Sequence, residues 1–98
     1  MNRGEAYAVL AAELAERRRA GFSALVAEVG RTARHRVVRM GGEDVVVETF
    51  VEWADPARTS VRVTASAAGP SWWKLERLDE SIVVRPPSGT AGPGAVRP

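Results

Sequence analysis

Ninety-eight residues, 45% hydrophobic and 27% charged, bound one domain with one core and leave no room for a separate catalytic domain. No cysteine is present, which excludes a disulfide scaffold, a thiol nucleophile and thiolate metal sites. The net charge of +2 is small but uneven: residues 17–39 hold seven arginines against the single acid Glu28, and the segments on either side are each net acidic.

At the N-terminus, Asn2 and Glu5 fit a capping box, and Tyr7, Leu10, Ala11 and Leu14 recur at helical spacing, which predicts a helix over residues 3–19. Arg17, Arg18 and Arg19 suit the negative end of its dipole, and Gly21 suits the C′ position. Phe22, Leu25, Val26 and Val29 mark a second helical stripe closed by Gly30. At roughly 100° per residue Leu14 and Leu25 fall within about 20° of each other, so both stripes face one surface on a helix kinked or split near Gly21.

Residues 34–40 read as a strand entering a tight turn at Gly41-Gly42-Glu43-Asp44, with Val38 and Met40 inward and His35 and Val37 outward. A hairpin over residues 45–67 organises the rest. Val45, Val47, Val51 and Trp53 share one pleat face, as do Val61, Val63, Ala65 and Ala67 on the return. A turn over residues 55–60 that sets Trp53 opposite Val61 keeps these faces together and brings Glu52 against Arg62. Phe50 is then an aromatic on the wet face, among Glu48, Glu52, Arg62, Thr64 and Ser66. After the turn AAGPS, residues 72–78 read as a strand with Trp73 and Leu75 inward and Trp72 and Lys74 outward or in the turn. Leu78-Asp79-Glu80 interrupts it, and residues 81–85 form a final short strand or a continuation beyond a bulge. The run PPSGTAGPGAVRP, residues 86–98, reads as a disordered tail. The expected architecture is α+β: one domain over residues 1–85, its N-terminal helix packed on one face of a four- to five-stranded antiparallel meander.

The run GF..L...VG (residues 21–30), Val51-Glu52-Trp53-Ala54-Asp55, and the late residues Ser71-Trp72-Trp73, Leu78, Ser81, Val83, Val84 and Pro86 resemble short uncharacterised prokaryotic proteins of cystatin-like or NTF2-like shape. The likeness spans residues 21–86. It implies a helix laid on an antiparallel sheet and attaches no catalytic role to any residue.

No constellation for catalysis emerges. His35, the single histidine, is flanked by Arg34 and Arg36 and reads as an exposed strand residue rather than a base or metal ligand. Glu48 and Glu52 sit about 13 Å apart along one strand face, too far to share a proton. The serines lack a nucleophile elbow, and Gly41-Gly42 lacks the lysine and spacing of a phosphate loop. The sequence therefore reads as a non-enzymatic protein with no cofactor and no metal. No apolar run approaches the roughly 18 residues of a membrane span, and the N-terminus lacks a signal-peptide core, which points to a soluble cytoplasmic protein.

Two surfaces stand out. Val37, Val46, Phe50 and Trp72 compose an apolar patch on the open sheet face, the place for a protein partner or a second copy of the chain in a homodimer. Arg17, Arg18, Arg19, Arg34, Arg36 and Arg39, with Arg31, compose a basic strip suited to nucleic acid, the alternative reading. A third use, a ligand cavity between helix and sheet, would be lined by Ala8, Ala11, Ala65 and Ala67.

Overall fold

The computed structural model describes residues 3–69 and 77–87. Helix α1 (Arg3–Ala20) and the short α2 (Phe22–Val26) precede four strands, β1 (Arg34–Met40), β2 (Glu43–Trp53), β3 (Val61–Ala68) and β4 (Arg77–Val84). The strands form one antiparallel sheet in the order β1-β2-β3-β4, a meander, and α1 lies on one face across β3 and β4.

Helix α1 buries a single stripe, Ala6, Leu10, Leu14 and Arg17, at the spacing that puts successive turns on one side. Beneath it, Ala65 and Ala67 of β3 are fully buried, and their small side chains let the helix backbone approach the sheet closely. The helix ends at Gly21, whose φ of 92° and ψ of 162° lie in the positive-φ region that glycine adopts freely but away from the left-handed helical well, so this residue redirects the chain into α2 instead of closing a Schellman turn. Leu25 of α2 is fully buried and joins Leu10, Val45, Val47, Val61 and Val63 at the heart of the core. Each of these side chains contributes on the order of 1.5–3 kcal/mol by leaving water.

The registers follow from alternation. Met40 pairs with Glu43 across a two-residue loop in which Gly41 and Gly42 both have positive φ, 56° and 82°, the combination a twisted hairpin needs and only glycine adopts without strain. Trp53 pairs with Val61 and Glu52 with Arg62, whose side chains meet at 3.9 Å. The connecting turn is organised by Asp55. Its carboxylate accepts from the Thr59 and Ser60 backbone N–H groups at 3.0 and 2.9 Å and from both hydroxyls, while Arg58, at φ 60°, donates its N–H to the Asp55 carbonyl at 3.0 Å. The hydroxyl bond from Thr59, against an opposing desolvation and with help from the Ser60 hydroxyl and the two backbone N–H groups, holds the Asp55 carboxyl below its ordinary value of 3.8.

The last strand differs from expectation. Instead of an interruption at Leu78-Asp79-Glu80 and a separate strand over residues 81–85, β4 pairs with β3 without a break from Arg77 opposite Ala68 to Val84 opposite Val61. Edge position explains this. Asp79 points to the uncovered face, as Glu48 and Glu52 do on β2, and Glu80, on the helix side, lies exposed because β4 is the outermost strand among the described residues. The expectations for Trp72, Trp73, Lys74 and Leu75, for the Asn2 cap and for the tail beyond Pro87 lie outside the described residues.

Candidate interaction surface

Alternation assigns the face away from α1 to the even residues of β2 and β3 and the odd residues of β1 and β4. Its first rung runs Val37, Val46, Ala68, Arg77. The second is His35, Glu48, Ser66, Asp79. The third, beginning on β2 because β1 has ended, is Phe50, Thr64, Ser81, and the fourth is Glu52, Arg62, Val83. Val37 is 62% exposed and sits directly opposite the exposed Val46, and Val83 is exposed at the far corner. Phe50 is half-buried yet packs outside the hydrophobic core, unlike Trp53 three residues on. Three of the four residues expected in the patch therefore share this face, and Trp72 is outside the described residues.

Every described arginine of the face has a carboxylate against it. Arg39 meets Asp44 at 3.1 Å, Arg62 meets Glu52 at 3.9 Å, and Arg77 donates from Nε to Asp79 at 3.1 Å while its Nη2 reaches Ser66 Oγ at 3.4 Å. These are exposed pairs of small energy, but they neutralise the field of the face.

The arginines of the basic strip are dispersed. Arg39 is on the open face, whereas Arg34 and Arg36, an odd number of residues away, point to the helix side. There Arg36 Nη2 donates to Glu13 of α1 at 2.9 Å, and Glu13 also accepts from Thr49 Oγ1 at 3.5 Å. Arg17 continues the buried stripe of α1 and donates to Glu28, which Arg34 approaches at 3.9 Å. Arg18 and Arg19 are exposed at the helix end. Thus Arg17, Arg34, Arg36 and Arg39 each face an acid. The four alanines considered for a cavity do not meet in one, since Ala65 and Ala67 are buried and Ala8 and Ala11 are exposed.

Comparison with family models, curated proteins and solved structures finds no match. The site thus stands on its own geometry. Among the described residues no group of three or more His, Asp or Glu could hold a metal ion, and no helix is long and apolar enough to cross a membrane. Sequence reasoning missed Glu13, Glu28 and Thr49 as polar members of the helix-side flank. Two signals were available: Thr49 breaks the run of apolar odd positions in β2, and Glu28 is the one acid among seven arginines.

Proposed function

We propose that the chain is a non-enzymatic interaction domain, of the cystatin-like or NTF2-like shape its motifs suggest, that associates with a second copy of itself through the open sheet face. The observation that carries this reading is the directly paired, exposed Val37 and Val46 on a face with no covering layer among the described residues, with Phe50 four positions along β2 and outside the core. The balance of charge on that face supports a like partner. Arg39, Arg62 and Arg77 stand against Asp44, Glu48, Glu52 and Asp79, so two copies meet without a strong field of one sign, whereas a polyanion would meet four carboxylates. Binding of nucleic acid through Arg17, Arg18, Arg19, Arg34, Arg36 and Arg39 is the weaker reading, because four of these six already face carboxylates.

Sedimentation velocity across a concentration series tests it with wild type, Val37→Glu and Phe50→Glu. A wild-type dimer that Val37→Glu converts to a monomer of unchanged circular dichroism is the expected result. Monomers throughout would end the self-association reading, and salt-sensitive binding of a single-stranded oligonucleotide, lost on Arg34→Ala with Arg36→Ala, would replace it with the second.

A further inference from the structure

Strand β2 outruns its neighbour on one side. β1 pairs with it only from Glu43 to Thr49, whereas β2 continues to Trp53. The chain before Arg34 does not extend β1 but turns away through residues 27–33 from α2. Among the described residues, 50–53 therefore have β3 on one side and no strand on the other.

The backbone direction of these residues can be read from the turn. Ala54 N–H donates to Ser60 O at 2.9 Å, so even residues at this end of β2 turn their peptide groups to β3 and odd residues turn theirs the opposite way. Val51 and Trp53 thus present N–H and C=O to the vacant position, where no backbone hydrogen bond reaches them among the described residues. A groove of about 690 Å³ opens at the start of this edge, between the loop residues Gly30, Arg31 and Thr32 and residues Thr49, Phe50 and Val51 of β2. Four rungs at about 3.3 Å each give a slot of about 13 Å, enough for a short extended segment.

Its rim is basic. Arg31 is exposed and the Arg34 side chain is 66% exposed. The one carboxylate in the lining, Glu28, pairs with Arg17 on the core side and lies 3.9 Å from Arg34, so the positive charge of the rim rests on Arg31 and on the exposed remainder of the Arg34 guanidinium. At the far end Arg58 lies over the Trp53 ring, 6.0 Å from its centroid.

We infer that this edge binds an extended acidic peptide segment of a partner protein by β-strand addition. The segment takes the position β1 vacates, antiparallel to β2, exchanging backbone hydrogen bonds with Val51 and Trp53 and setting carboxylates against Arg31 and Arg34. The backbone pairing supplies affinity and the arginines supply charge selectivity. The edge is separate from the Val37–Val46 rung, so this inference does not rest on self-association.

The test is fluorescence anisotropy of the full chain with a labelled peptide of alternating glutamate and valine, paired with amide exchange by NMR. Saturable binding that slows exchange at Val51 and Trp53 is expected. Methylating the alternate peptide nitrogens that face β2 should weaken binding about tenfold or more, the size of a lost hydrogen bond or two, and methylating the other set should not. Arg31→Glu with Arg34→Glu should cause a comparable loss with circular dichroism unchanged. Equal binding by both methylated peptides, protection confined to the Val37 and Val46 face, a preference for an oligonucleotide over the peptide, or no binding at millimolar peptide would each overturn the inference.

Discussion

Replacing Glu28 should destabilise the domain more than replacing the arginine it pairs with, although the two share one contact. The Arg17 side chain is only 10% exposed, it ends the buried stripe of α1, and its Nε is buried with no acceptor. Glu28→Ala leaves that cation without its carboxylate. Breaking a fully buried pair costs about 3–5 kcal/mol; the Glu28 side chain, at 27% exposure, admits some water to the site, which places the expected loss at about 2–3 kcal/mol. Arg17→Met removes the buried charge together with its unsatisfied Nε and keeps an apolar chain in the stripe. Glu28 is then left where water and Arg34, 3.9 Å away, solvate it, so the expected loss is about 1 kcal/mol or less. The double variant should be close to Arg17→Met alone, a coupling of about 2–3 kcal/mol. Against a total of roughly 5–15 kcal/mol such differences shift a urea midpoint clearly. Equilibrium urea unfolding of the four proteins, tracked by circular dichroism, checks the cycle. If Glu28→Ala costs no more than Arg17→Met, or if the two losses simply add, the buried-charge argument is wrong.

Two further outcomes concern the turn and the core. Asp55→Asn should lower stability at neutral pH by loosening the turn, and its difference from wild type should shrink as pH falls below the ordinary carboxyl value of 3.8. The sign comes from the lowered folded-state pKa: the stabilisation is complete above the unfolded value and is lost as pH falls through the folded one, which paired urea titrations at neutral and acid pH would show. Leu10→Ala, at a fully buried position between α1 and β3, should cost about 2–5 kcal/mol, whereas Tyr7→Ala, on the exposed flank of the same helix, should cost well under that in the same assay.

Two periodicities and their direct consequences are legible along the chain. Spacing near 3.6 over residues 3–20 and alternation over residues 34–68 are local properties of the chain, and with glycines at 41 and 42 they fix the elements, the β1–β2 turn and the pairing of Trp53 with Val61. Placement of Val37, Val46 and Phe50 on one face rests on the same parity. Parity also separates Arg39 from Arg34 and Arg36, which a reading of the basic run by composition alone obscures. The remaining features depend on which elements lie over which in space. Asp79 and Glu80 look like a break in a strand until β4 takes the outermost place among the described strands, with Asp79 on the uncovered face and Glu80 exposed at the rim. Arg17 looks like one of three dipole-complementing arginines until the stripe of α1 turns it under, against an acid eleven residues away. Residues 50–53 at the end of β2 lie unflanked among the described residues because β1 begins only at Arg34, opposite Thr49. Burial, ion pairing across elements and the vacancy beside a strand are properties of neighbours in space, and no spacing along the chain encodes them.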